Sequence, residues 1–213
     1  MQALILDYGM GNLVSVRNAL ERLGCEVSIS RNHSDIAAAG AIILPGVGAF
    51  GRAMENLTDG GFVAPLLNAA AEGKPILGIC LGMQLLAEDS EERGFHRGLG
   101  LVPGHVRMIR TYGDLRLPHV GWNGVRIAQS EPLFDRLHDG DAFYFVHSFQ
   151  VECDPCNVAA ICDYGEPVNA ALRKDRIMAV QFHPERSQTK GLRVLKNFVD
   201  YAKSIVAERQ PAW

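Results

Sequence analysis

Much of what would assign this chain to a special class is absent from it. No apolar stretch approaches the roughly 20 residues needed to cross a bilayer. The opening Met1-Gln2-Ala3-Leu4-Ile5-Leu6-Asp7 has no basic residues ahead of its apolar run and meets an aspartate too early for a secretory signal. No cluster of lysine and arginine stands out: 21 basic residues face 24 acidic ones, for a formal net charge of -3. That balance argues against nucleic acid as the main partner, because phosphate contacts need clustered cations. Cysteine is scarce and odd in number, with five residues and no framework spacing. A reducing compartment, the cytoplasm, is therefore expected rather than a disulfide scaffold. No repeat, low-complexity tract or linker interrupts the chain, and one domain over residues 1–206 with a short tail at 207–213 is expected.

What remains is ordinary globular material with an informative order. A hydrophobic fraction of 47% against 21% charged residues allows a sizeable core without metals or disulfides. Short apolar runs at Ala3 to Leu6, Val27 to Ser30, Ala41 to Leu44 and Pro75 to Ile79 read as buried strands. Between them lie helical spacings, first Leu13, Val16, Leu20 and Leu23, then residues 50 to 57 and 61 to 71. Strands apolar on both faces and separated by helices predict a parallel sheet covered on both sides. From Gly98 to Leu172 the apolar runs shorten and alternate with turn residues, which predicts antiparallel strands. Ile177 to Phe182 returns to a strand, and a last helix carries Leu192, Leu195, Phe198, Val199, Ala202 and Val206. The expectation is an α/β domain with a central mixed, largely parallel sheet flanked by helices, flavodoxin-like in outline.

Two segments bear chemistry. Gly78-Ile79-Cys80-Leu81-Gly82 runs from a strand into a helix with a cysteine at the turn and glycine at both second neighbours. This is a nucleophile elbow with sulfur as the attacking atom. Glycines tolerate the strained backbone and the close approach of neighbouring chain, and a helix start beside the sulfur favours thiolate. The Leu81 N–H would then help hold an oxyanion. A buried structural cysteine is the competing reading. A nucleophilic cysteine wants a base, and the base wants an orienting acceptor. In Gln181-Phe182-His183-Pro184-Glu185, His183 follows a predicted strand with a carboxylate two residues on. Pro184 restrains His183 to an extended conformation. Pro45-Gly46-Val47-Gly48 closes another strand on the sheet edge where ligands bind. It could offer a second oxyanion donor or be a plain turn; the GxxxxGK pattern of a phosphate loop is missing.

Together with Val146-His147-Ser148-Phe149 and the extension Met83-Gln84, these segments resemble the class I (triad) glutamine amidotransferase family, in order and over almost the whole chain. The resemblance implies that Cys80 attacks a glutamine carboxamide, that His183 moves the proton and that Glu185 orients His183. It implies an oxyanion hole at Val47 and Leu81, and a glutamine pocket formed by Gly46, Gly48, Gln84, Ser148 and Phe149. A narrower resemblance rests on Ile5 to Leu13, Leu44 to Gly48, Pro118-His119-Val120-Gly121-Trp122-Asn123 and Tyr144-Phe145-Val146-His147-Ser148-Phe149. Val120 stands where methionine is more usual, and Phe149 where tyrosine is. These segments are similar to the branch whose glutaminase subunits pass ammonia to a (β/α)8-barrel cyclase subunit in histidine biosynthesis. A heterodimer is implied, with Asn12, Trp122, Asn123, Tyr144 and Arg186 as interface candidates. Neither a cofactor nor a metal is implied. A paralogous glutaminase with another partner and a non-catalytic scaffold are the alternatives, the second opposed by the intact Cys80, His183 and Glu185.

Other features are set aside. Cys153-Asp154-Pro155-Cys156 has CxxC spacing but no second pair, and is expected to be loop cysteines. His33, His96, His105 and His138 lie in polar stretches with no partner evident, and His119 and His147 read as structural or substrate-adjacent. Glu88 to Arg93 reads as a solvated charge run.

Overall fold

The computed structural model describes residues 2–130 and 132–208. The first half alternates strand and helix: β1 (Gln2–Leu6), α1 (Leu13–Glu21), β2 (Glu26–Ser30), α2 (Asp35–Ala38), β3 (Ala41–Gly46), α3 (Phe50–Asp59), α4 (Val63–Ala71), β4 (Ile76–Cys80) and α5 (Leu81–Leu85). The second half is mainly strands: β5 (Asp89–Ser90), β6 (His96–Arg97), β7 (His105–Met108), β8 (His119–Gly124), β9 (Arg126–Ile127), β10 (Ala142–His147), β11 (Phe149–Glu152), β12 (Val158–Tyr164), β13 (Glu166–Lys174) and β14 (Ile177–Val180). It closes with α6 (Gln188–Glu208). This helix runs two residues past the expected end of the domain at 206, and residues 209–213 of the expected tail lie outside the described residues.

One sheet takes the order β2-β1-β3-β4-β14-β13-β12-β9. Its first five strands pair in parallel and the other three join antiparallel. The parallel part has the 2-1-3-4-5 order of flavodoxin-like folds, in which ligands bind beyond the carboxyl ends of the strands. Burial on both faces explains the uninterrupted apolar strands. In β1, Ala3 and Ile5 join one core with Val16 and Leu20 of α1 and Leu195 and Phe198 of α6. Leu4 and Leu6 join the opposite core with Phe50, Leu57, Leu66 and Leu81 from α3 to α5. Phe143, Phe145 and Phe182 are fully buried, and such side chains contribute roughly 1.5–3 kcal/mol each relative to exposure.

Two smaller sheets hold the remaining strands, β10-β8 and β11-β7-β5-β6. Strands β8 and β10 are antiparallel, with His119 opposite His147 and Trp122 opposite Tyr144. No helix among the described residues is long and apolar enough to cross a membrane.

Candidate active site

Cys80 is both the last residue of β4 and the cap of α5, with φ of +55°. A non-glycine residue in this region stores strain on the order of 1–3 kcal/mol, and functional sites are where such strain persists. The flanking glycines are steric necessities. A Cβ on Gly82 would lie 1.7 Å from the Leu44 carbonyl oxygen, and one on Gly78 would lie 2.8 Å from the Gly82 carbonyl oxygen. Strand β3 continues past the expected Leu44 through Pro45 and Gly46, so that Gly46 pairs directly with Cys80. A side chain on Gly46 would meet the Tyr8 hydroxyl at 2.4 Å. That hydroxyl donates to the Pro45 carbonyl at 2.8 Å and braces the loop leading to Val47. Leu81 opens α5, so its N–H belongs to the first-turn donors without an intrahelical acceptor.

His183 follows β14 with extended backbone angles, as the next proline demands. Its N–H donates to the Tyr144 carbonyl at 2.9 Å, and its carbonyl accepts from the Ser187 hydroxyl at 2.7 Å. The ring is therefore presented by a fixed backbone. His183 Nδ1 meets Glu185 Oε1 at 2.8 Å, both side chains being buried. Its Nε2 is buried with no hydrogen-bond partner. An unsatisfied buried nitrogen is costly and calls for an explanation, of which a catalytic role is one. Burial disfavours the imidazolium, but the adjoining Cys80 sulfur and the Glu185 carboxylate outweigh it and raise His183 to about 10. The sulfur acts here through proximity, since no hydrogen bond to Nε2 is formed. An imidazolium held in this way is chemically able to give a proton to a departing amine.

A cavity of about 390 Å³ opens onto these groups, lined among others by Val47, Gly48, Cys80, Leu81, Gln84, Ser148, Phe149 and His183. This volume suits a small ligand. Expected residues from four separate segments therefore share one site. Gly46 lies beside Cys80 in the sheet, and Glu185 lies behind His183. Gln84 Nε2 donates to the Phe149 carbonyl and to Gln181 Oε1, each at 3.0 Å. Gln181 Nε2 in turn donates to Cys80 Sγ at 3.7 Å.

These features invite comparison with known proteins. The family described as glutamine amidotransferase class-I matches residues 4–202. The chain belongs to this family. Among curated relatives, imidazole glycerol phosphate synthase subunit HisH of Syntrophotalea carbinolica is 47% identical over 205 residues, covering 92% of this chain and 98% of that one. The HisH subunit of Geobacter sulfurreducens is 48% identical, covering 91% and 96%. That of Aquifex aeolicus is 44% identical, covering 96% and 99%. Two solved structures share the fold at lower identity. Thermotoga maritima PurLQS gives a TM-score of 0.73 at 22% identity, covering 94% of this chain and 98% of that one. The glutaminase domain of Trypanosoma brucei CTPS, with bound acivicin, gives 0.67 at 18%, covering 100% and 96%.

In this amidotransferase some functional candidates lie beyond the sequence expectations. Glu92, read in the sequence as part of a solvated run, lines the cavity and accepts the Phe50 N–H at the start of α3 at 2.7 Å. Gln181 is fully buried against Cys80; its place within the His183 motif was the available signal. Tyr8 gave none beyond its position in the opening turn. His105 lies at 2.8 Å from Asp89, although its polar surroundings suggested no partner. Cys153 and Cys156 are free thiols at a short turn, and burial pushes Cys153 up to about 11.

The interface candidates divide into two groups. Trp122 is half-exposed and meets Tyr144 edge-on at 6.2 Å, while the Arg186 guanidinium lies 4.7 Å over the Tyr144 ring. These three form one patch. Asn12 is exposed at the start of α1, which packs on the turn containing Arg186. Asn123 differs, because strand alternation turns it away from Trp122. Its amide is used within the chain, donating to the Asp163 carbonyl at 2.9 Å.

Proposed function

We propose that Cys80, His183 and Glu185 form the triad with which this chain serves as the HisH glutaminase subunit of imidazole glycerol phosphate synthase. The observation that supports it is the convergence, in one small cavity, of a strained cysteine and a histidine whose Nε2 is unsatisfied and whose Nδ1 is held by a carboxylate. In this reading the Cys80 sulfur attacks the carboxamide carbon of glutamine, and the carbonyl electrons move to oxygen. The Leu81 N–H and a peptide N–H of the Val47 loop receive that oxyanion. Its collapse breaks the C–N bond while His183 Nε2 gives its proton, releasing ammonia and a glutamyl thioester. Water then gives a proton to Nε2 as it attacks the thioester, and glutamate and the thiolate form. Glu185 stabilises the imidazolium at both stages.

The ends of the substrate need recognition too. Gly48, Gln84, Ser148 and Phe149 suit its polar groups, with Gly46 keeping room beside Cys80. Glu92, the acidic residue of the lining, suits the α-ammonium group. Ammonia freed in a buried site is useful to an acceptor enzyme, and we assign that role to a (β/α)8 cyclase subunit docked as a heterodimer on the Trp122, Tyr144 and Arg186 patch. Aromatic and arginine clusters of this kind are characteristic interface anchors. Five free cysteines suit the cytoplasm as its compartment. The test is glutamate release by the purified chain, alone and with the cyclase from the same genome plus its nucleotide ligand. A low rate alone and a large rise in the complex is expected. A high rate alone, or indifference to that cyclase, would sink the partner assignment.

A further inference from the structure

Beside the catalytic groups runs a chain of buried polar contacts that the mechanism above does not use. His147 Nδ1 meets the Phe149 carbonyl at 2.8 Å, and His147 Nε2 meets His119 Nδ1 at 3.0 Å. His119 Nε2 meets the Asn123 amide nitrogen at 3.3 Å, and that nitrogen also donates to the Asp163 carbonyl. Both rings are buried. His119 is stacked between Tyr164 at 4.0 Å and Phe145 at 4.8 Å.

Hydrogen-bond chemistry leaves one assignment for the protons. A carbonyl only accepts, so His147 Nδ1 carries hydrogen. A neutral imidazole has a single N–H, so His147 Nε2 accepts and His119 Nδ1 donates. His119 Nε2 then accepts, and the Asn123 amide nitrogen donates. Rotating that amide would set two acceptors, Asn123 Oδ1 and the Asp163 carbonyl, against each other. Burial depresses His119 to about 4 and His147 to about 3, so both rings are neutral in the physiological range. The Phe149 carbonyl at the end of the relay also accepts from Gln84, which bonds Gln181, which bonds Cys80 Sγ.

We propose that His119 and His147 are positioning residues, locked as Nδ1–H tautomers, which hold the Phe149 carbonyl and thereby set Gln84 for glutamine. The proposal rests on the glutamine-binding role given above to Phe149 and Gln84. If His147 adopted the other tautomer, its Nδ1 lone pair would face the carbonyl lone pairs, and the pocket segment Ser148-Phe149 would move. His119 decides between the two tautomers without itself lining the cavity.

The first measurement is the long-range proton–nitrogen correlation spectrum of the nitrogen-15-labelled full chain, which distinguishes the tautomers directly. Nδ1–H is expected on both rings, although Nε2–H is the favoured form of free neutral imidazole. Nε2–H on either ring would overturn the proposal. The second is glutaminase kinetics in the cyclase complex. His119→Phe keeps the stacking and deletes the donor, so KM for glutamine should rise about tenfold, the order of one buried hydrogen bond, with kcat little changed. His119→Asn, whose amide nitrogen can replace Nδ1 as donor, should restore most of the loss. An unchanged KM in His119→Phe would equally overturn the relay. Should His119→Phe fail to fold, the spectrum of the unmodified chain decides alone. A wild-type complex that releases no glutamate would refute the glutaminase reading, leaving the spectrum to decide the relay.

Discussion

At the residue scale, the site is a set of groups each denied its comfortable state. Cys80 has strained backbone angles, and His183 Nε2 and Glu185 Oε2 are buried without partners. In the proposed reaction a bound carboxamide offers an electrophile to the sulfur, and the tetrahedral adduct then offers a basic leaving nitrogen to Nε2. Glu92 makes a separable contribution. If its carboxylate meets the α-ammonium of glutamine, Glu92→Gln should raise KM about ten- to a hundredfold, the range for a charge-assisted bond, with kcat nearly unchanged. Steady-state glutamate release checks this. An equal fall in kcat would place Glu92 in the chemistry instead. The His183 motif was legible in the sequence because a proline and a carboxylate stand beside it. Glu92 was not, because its local context, Glu88 to Arg93, is that of any solvated run. Only the packing of that segment against the start of α3 turns its carboxylate to the cavity.

At the scale of elements, the elbow and the β8–β10 pair carry different demands. Gly82→Ala places a methyl group 1.7 Å from the Leu44 carbonyl oxygen, and neither the strand nor the helix can yield locally. A loss of at least about 3 kcal/mol is expected, at the severe end for single substitutions, readable as a lowered urea midpoint. The histidine pair in β8 and β10 makes stability pH-dependent. Unfolded histidines take up protons below about 6.5, whereas folded His119 and His147 stay neutral to about 4 and 3. The unfolded state therefore binds more protons in that window, and stability falls as pH drops from about 6.5 toward 4. His183 works in the opposite sense. Raised to about 10, it favours folding below about 6.5, and that contribution fades as pH rises toward 10. Urea unfolding from pH 6.5 to 5 should show a shallower acid decline in His119→Phe than in wild type; equal slopes would contradict the account. Strands β1, β3 and β4 were readable because parallel strands buried on both faces leave unbroken apolar runs. The His119–His147 pair was not, since it depends on the register of two strands that no local pattern specifies.

At the scale of the whole molecule, the parallel sheet gathers the carboxyl ends of β3, β4 and β14 at one edge, and the β8–β10 pair lies beside them. The cavity and the aromatic patch thus share strand β10, through Val146 and His147 on the one and Tyr144 on the other. Trp122→Ala should weaken association with the cyclase by about thirtyfold or more, as truncation of a central aromatic anchor does, while residual glutaminase activity of the free chain stays unchanged. Titration calorimetry with Arg186→Ala as a second probe checks this. Loss of intrinsic activity instead would mean that Trp122 supports the pocket and not a partner. The α/β class and the order of the motifs could be read directly, because they follow from periodicity and from residues adjacent in the chain. The division of the interface candidates could not, since Trp122 and Asn123 are neighbours whose opposite facing follows only once β8 is known to pair with β10.

The most direct test of the central claim is glutamate release by wild type and Cys80→Ala in the cyclase complex, run alongside the same complex supplied with free ammonia. The account predicts that Cys80→Ala loses glutamine hydrolysis while folding and ammonia-dependent turnover persist. Glutamine hydrolysis by Cys80→Ala at a rate near that of wild type would contradict it.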